Sequence, residues 1–412
     1  MTGTETGAAR VRGPGDVEEF ARRCFTGTPG DRIGVELEFL VFDQDGPSRQ
    51  VRVERVAEAL PALPGGAAAG FEPGGQLELS GPPAALPDAV RALTADVEIV
   101  RAALREEGLA LAGMGMDPVR PPVRQLRQPR YEAMADLLGV PYGPIMMCLT
   151  ASIQVNVDFG EHPRVRWERA GRLGPLLSAC FANSPVLHGR PCGWMSGRQA
   201  VWLHLDPTRT RPVTAAGDGD PAAAWARYLM DARLMLAPER RPRRLTPPNR
   251  ATFGRWMRAP GLGGHPPTTA DLAYHATTVF PPVRPRGWLE VRYLDAVHPR
   301  WWPACVAVTS ALLLDDRAAG TALEAAEPFA DRWWQAAQVG LGDPRIRRAA
   351  ETCFRAAAEA LPRLGADPGL VAAVEAYAER HVVPGDSPAA GLLRACEAGV
   401  PPQAWLGEEV AA

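Results

Sequence analysis

Apolar and polar residues alternate with period two in four widely separated stretches of the chain, residues 34–39, 71–79, 152–159 and 288–295. Successive side chains of a strand leave on opposite faces, so Val35, Leu37 and Phe39 share one side of the first stretch while Glu36 and Glu38 share the other. A single Glu-x-Glu strand ordinarily turns such a face to water. The same pattern returns with Glu72 and Glu78, with Gln154 and Asn156, and with Glu290 and Arg292. Four strands of this kind predict one sheet whose polar face lines a cavity.

Between them the spacing predicts helices over 16–25, 51–60, 86–107, 130–138 and 163–181. The strongest is 86–107, where Leu86, Val90, Leu93, Val97, Val100 and Leu104 keep three- and four-residue intervals with charges between them. That helix is expected to cover the apolar back of the sheet. Residues 114–128 are broken by prolines, and 189–206 reads as loop or helix turn. Glycines make 210–221 a loop, and prolines do the same for the arginine-rich 238–249. From 302 to 397 the chain becomes rich in Ala, Leu and Arg at helical spacing, which predicts four or five helices. The domain layout expected is a disordered leader at 1–15, a catalytic region at 16–300, a helical region at 301–400 packed on the same domain, and a tail at 401–412.

Composition narrows the chemistry. A formal charge of −2 over 412 residues gives no basic footprint for nucleic acid or an anionic membrane, so the expected partners are small molecules. The chain contains no lysine, and all 45 basic residues are arginine. Schiff-base chemistry and a P-loop lysine are thereby excluded, and any phosphate must be met by arginine or metal. Seven scattered cysteines without a Cys-x-x-Cys pair, together with the lack of an apolar leader or an apolar run of membrane-spanning length, predict a cytoplasmic protein.

Five carboxylates, Glu36, Glu38, Glu72, Glu78 and Glu290, are expected on one side of the sheet. Like charges at close range either raise their pKa values or gather cations. Hard oxygen ligands with Gln154 and Asn156 as neutral neighbours suit Mg2+ or Mn2+, whereas zinc would ask for His or Cys. Magnesium commonly shares substrate phosphates, so several metals gripping a nucleotide triphosphate fit such a set. Arg198 and Arg292 are candidates for substrate carboxylate or phosphate, since a guanidinium matches both anions in a fork. The five histidines at 188, 204, 265, 275 and 298 fall outside these strands and read as ordinary polar or loop residues.

Six segments in fixed order carry a resemblance: Gly-Val-Glu-Leu-Glu-Phe at 34–39, Glu-Pro-Gly-Gly-Gln-Leu-Glu-Leu-Ser-Gly-Pro-Pro at 72–83, Ser-Ile-Gln-Val-Asn-Val-Asp-Phe at 152–159, Ala-Asn-Ser-Pro-Val-Leu-His-Gly-Arg-Pro at 182–191, Thr-Thr-Val-Phe-Pro-Pro-Val-Arg at 277–284, and Trp-Leu-Glu-Val-Arg-Tyr-Leu-Asp at 288–295. Over about residues 30–300 the chain resembles the plant-type glutamate-cysteine ligases, and most closely their actinobacterial branch that serves ergothioneine biosynthesis. The resemblance implies an α+β fold of the glutamine synthetase type, a curved antiparallel sheet forming a funnel covered by helices. It implies ATP-dependent ligation of L-glutamate to L-cysteine through γ-glutamyl phosphate, in a monomer or small homo-oligomer. It also implies that Glu36, Glu38, Glu72, Glu78 and Glu290 are metal ligands with Gln154 and Asn156 beside them. Arg198 and Arg292 would then act on substrate, with Thr278 and Arg284 as further contacts to the nucleotide. A ligase of the same fold with another amine acceptor, and a ligand-binding relative without catalysis, stay open as alternatives.

Overall fold

Strand β1 (Ile33–Asp43) is the spine of a seven-stranded sheet in a computed structural model that describes residues 9–27, 30–214, 219–235, 251–259, 265–401 and 404–405. Residues 1–8, the centre of the 210–221 loop, the 238–249 loop and most of the 401–412 tail lie outside the described residues. The other strands are β2 (Ala68–Phe71), β3 (Leu77–Ser80), β4 (Leu109–Ala112), β5 (Ser152–Val157), β8 (Val283–Pro285) and β9 (Leu289–Asp295), while β6 (Val186–Leu187) and β7 (Arg190–Pro191) form a separate hairpin. The order is β2-β3-β1-β5-β9-β8, with β4 pairing to the far end of β1, and every pairing is antiparallel.

The register explains the polar face. Glu38 lies opposite Glu78, Glu36 opposite Gln154, and Asn156 opposite Glu290, so carboxylates and amides from four strands share one side. Val35, Leu37, Phe39, Leu77, Leu79, Ile153, Val155, Leu289 and Val291 point the other way and are buried in one core. A one-residue slip would exchange the two faces, which is why burial of the apolar set fixes the register.

The helix Leu86–Glu106 lies against β1 and β4 and buries all six residues of its predicted stripe. Each such side chain is worth about 1.5–3 kcal/mol in surface removed from water. Gly108, at φ +68, lets the chain reverse from this helix into β4. The helix Pro163–Cys180 also covers the apolar back, its Ala170 carbonyl accepting from the Tyr293 hydroxyl.

Three differences from the sequence expectations follow from local chemistry. The 71–79 stretch is two strands, because Glu72 and Gly75 close a tight turn in which Gly75 sits at φ +93. A helix spans Tyr142–Leu149, and within 189–206, expected as loop or helix turn, a full helix runs over Gly197–His204, started by the Ser196 side chain accepting from the Gln199 N–H. The carboxy-terminal region holds six α-helices among the described residues: Trp302–Leu314, Asp316–Ala326, Trp333–Val339, Pro344–Ala360, Pro368–Tyr377 and Pro388–Glu397. The breaks not expected from the sequence fall at Asp315, which caps the second of them, and between Ala326 and Trp333. The core that begins at Val11 continues without interruption through this region to Val382.

Candidate active site

A cleft of about 260 Å3 opens on the polar face of the sheet. Glu36 and Glu38 project from β1, Glu78 from β3, Gln154 from β5, and Glu290 and Arg292 from β9. Glu72 enters from the turn between β2 and β3, whose position is set by Gln76. That side chain accepts from the Gly74 N–H and donates to the Thr150 carbonyl, tying the turn to the start of β5. Gly74 meets the backbone of Cys148 so closely that a Cβ there would lie 2.3 Å from the Cys148 oxygen.

Glu38, Glu72 and Glu78 bring one carboxylate oxygen each to within 4.8 Å of one another. Burial, with Glu38 and Glu78 nearby, pushes the Glu72 carboxyl up to about 8. Burial also raises Glu38, although Arg198 and Arg292 oppose it, and raises Glu78 with help from Glu38. Glu36 is raised by burial and by Glu290 and Glu78. These carboxylates are therefore short of positive charge, the condition under which a divalent cation binds well. The donors are all hard oxygens, and among the described residues no histidine or cysteine lines the cleft.

Glu290 is in a different state. Its carboxylate accepts from Arg284 at 2.5 and 2.9 Å and from Arg286 at 3.1 Å, and Arg292 lies 3.2 Å away. Burial alone would raise it, but Arg284 and Arg292 outweigh that and hold it well below the usual carboxylate range. Burial in turn pulls Arg284 down to about 10. Arg292 donates to Gln154 Oε1 at 2.6 Å, and Arg198 donates through Nη2 to the Arg292 carbonyl at 2.8 Å. The cleft thus has an acidic side built on β1 and β3 and a guanidinium side built on β8, β9 and the helix Gly197–His204.

Two expected residues lie elsewhere. Thr278 is fully buried and its hydroxyl donates to the His275 carbonyl at 2.7 Å, so it faces away from the cleft. Asn156 stands behind Glu36, donating to its Oε1 at 2.9 Å and accepting from the Trp288 indole at 3.0 Å. The cleft also contains groups the sequence did not single out. Arg286 grips Glu290 from four residues away, a spacing that the run 284–292 displays. Met134, Met146, Met147 and Tyr131 form one apolar wall, and Trp202 with Phe280, ring centres 5.6 Å apart, form another. Nothing in their local pattern separates these from core residues.

A model of glutamate-cysteine ligase family 2 matches residues 32–410. The chain belongs to glutamate-cysteine ligase family 2. Within this family it is 44% identical over 347 residues to the glutamate-cysteine ligase EgtA of Mycolicibacterium smegmatis, a match covering 81% of each chain. It is 42% identical over 387 residues to the protein of that name from Mycobacterium tuberculosis, covering 90% of this chain and 88% of the relative. A solved glutamate-cysteine ligase of Francisella tularensis, in complex with AMP, superposes with a TM-score of 0.53 at 12% identity, covering 93% of this chain and 88% of the other. At that identity the likeness concerns the fold alone, a mixed helical and antiparallel-sheet architecture.

Proposed function

We propose that the chain joins L-glutamate to L-cysteine with hydrolysis of ATP to ADP and phosphate, giving γ-glutamylcysteine for ergothioneine synthesis. The observation that carries this reading is the opposition, across one cleft, of the Glu38, Glu72 and Glu78 cluster and the Arg198, Arg284 and Arg292 row. Membership of the family and the extent of the EgtA matches support it.

An oxygen of the glutamate γ-carboxylate attacks the γ-phosphorus of ATP, and the bond to ADP breaks. The amine nitrogen of cysteine then attacks the acyl carbon, the carbon–oxygen bond to phosphate breaks, and the nitrogen loses a proton. Neither step requires a covalent bond to protein; both require that three anions be held together. Arginines do this on one side of the cleft. Arg198 is suited to an incoming oxyanion because it lines the cleft beside Arg292, whose carbonyl takes one of its N–H groups. On the other side Glu38, Glu72 and Glu78, with Glu36 beside them, are the residues that would hold Mg2+ or Mn2+, whereas both oxygens of Glu290 are taken by arginine. Such an ion, when bound, supplies charge neutralisation at the phosphate oxygens. The apolar walls exclude water from the acyl phosphate, whose hydrolysis would waste the nucleotide.

The same reading takes residues 16–300 as the catalytic region and 301–400 as helices of the same domain, supported by their common core. It places the protein in the cytoplasm, as a monomer or small homo-oligomer. All seven cysteines are free, and among the described residues no helix is long and apolar enough to cross a membrane. The deciding measurement is ADP release with Mg2+, ATP, glutamate and a panel of amines. Turnover with cysteine and mass-spectrometric detection of γ-glutamylcysteine are expected. Turnover only with a different amine would sink the acceptor assignment, and ATP binding without any turnover would sink the enzymatic one.

A further inference from the structure

Behind Arg198 lies a buried carboxylate outside the cleft. Asp295, the last residue of β9, is 2% exposed, yet both of its oxygens are engaged. Oδ2 accepts from the Asn183 N–H at 2.9 Å and from the Ser184 hydroxyl at 2.6 Å, and Oδ1 accepts from the Ser196 hydroxyl at 2.9 Å. Ser184 also accepts from the Arg198 N–H at 3.0 Å, and Ser196 caps the helix that carries Arg198. Gly115 passes so close that a Cβ there would lie 2.6 Å from the Asp295 carboxyl carbon. The carboxylate is fixed on every side.

Its relation to Arg198 is electrostatic. Arg198 Nη1 is 3.8 Å from Asp295 Oδ1, within ion-pair range but without a hydrogen bond. The other terminal nitrogen is spent on the Arg292 carbonyl. A guanidinium 2% exposed needs a counter-charge to stay in place. Asp295 supplies that charge.

We propose that Asp295 is a positioning residue that holds the Arg198 guanidinium in the wall of the cleft for a substrate oxyanion, either the carboxylate of the amino-acid donor or a phosphate of the nucleotide. This rests on the ligase reading above for the identity of those anions.

The test is calorimetric titration of the whole protein with glutamate and with a non-hydrolysable ATP analogue in the presence of Mg2+, alongside steady-state kinetics. Asp295→Asn keeps the shape and removes the charge. The Kd and KM of one of the two anionic ligands are expected to rise about tenfold, with kcat falling less than about threefold. A rise for glutamate assigns the guanidinium to a carboxylate, and a rise for the nucleotide assigns it to a phosphate. In the Arg198→Ala background the same change is expected to have no further effect on that ligand, because its route through Arg198 is already gone. Additive losses in the double variant, or a fall in kcat alone, would overturn the proposal. Should Asp295→Asn fail to fold, Ser184→Ala removes one hydrogen bond from the carboxylate and is expected to raise the same Kd about threefold; an unchanged Kd in that folded variant counts against the proposal. Wild-type protein that binds neither ligand overturns both readings, whereas binding without ligation overturns only the ligase assignment.

Discussion

Glu36 shows how one side chain decides between structure and chemistry. It is half-buried, next to Glu290 and Glu78, and accepts a hydrogen bond from Asn156. Glu36→Gln changes its charge and hardly its volume, so ligation is expected to fall by about a thousandfold while folding is retained. Because burial and like charge both disfavour the carboxylate, the melting temperature without metal is expected to hold or rise. Differential scanning calorimetry beside the ADP assay checks both halves, and substantial residual activity would remove Glu36 from the metal set. A different residue contributes to acid stability. His275 is fully buried, stacked on Phe253 at 5.1 Å, and accepts no proton easily, since burial and Arg209 pull it down to about 3 from 6.5. The unfolded chain binds that proton below pH 6.5 and the folded chain does not, so stability present above 6.5 is lost as pH falls towards 3. The slope is about 1.4 kcal/mol per pH unit for one group. In urea titrations His275→Phe is expected to flatten that slope by one proton's worth, while costing about 1 kcal/mol at pH 8 for the Leu229 carbonyl that loses its donor.

At the scale of elements, the turn carrying Glu72 and the helix Tyr142–Leu149 meet backbone to backbone at Gly74. Gly74→Ala has no space for its methyl group, so the helix must move, carrying Met146, Met147 and the start of β5 with it. A loss of about 1–3 kcal/mol in denaturant unfolding is expected, with a fall in activity larger than that of a control such as Gly171→Ala, where a Cβ meets nothing within 4 Å. This contact was invisible in the sequence, whereas the strands it supports were legible. Period two in β1, β3, β5 and β9 reports a face that must be buried, and period 3.6 in Leu86–Glu106 does the same for a helix. The helix Tyr142–Leu149 has no such signal, because Gly143 and every residue from Ile145 to Leu149 are buried and the helix is apolar all round. Strand β4, Leu-Ala-Leu-Ala and wholly buried, is ambiguous for the same reason. Charge rows have their own limit. The sequence places Arg284, Arg286, Glu290 and Arg292 together, but the β8–β9 hairpin decides that Glu290 is clamped by arginine while Glu72 is crowded by carboxylates.

In the whole molecule, the carboxy-terminal helices and the sheet share side chains. Trp333 packs edge-on against Tyr293 of β9 at 5.6 Å, and its ring would lie 2.3 Å from a Cβ on Gly174 of the helix Pro163–Cys180. Trp333→Ala opens a cavity among three elements and is expected to cost about 3–5 kcal/mol. If 16–300 and 301–400 are one domain, near-ultraviolet and far-ultraviolet circular dichroism will report a single transition displaced equally in both. Two separate transitions would divide the chain into independent bodies.

The strand order has a further consequence in time. β1 and β9 are neighbours of the same strand, β5, yet Glu38 and Glu290 are separated by most of the chain. At about 5–20 residues per second of synthesis, the acidic strand leaves the ribosome about 10–50 s before the arginines of β8 and β9 exist. For that interval the nascent protein carries the open edge of β5 and a row of carboxylates without the arginines of β8 and β9. A chaperone that shields edges, or a cation that quiets the charge, has its greatest leverage on this protein then, before the cleft is assembled.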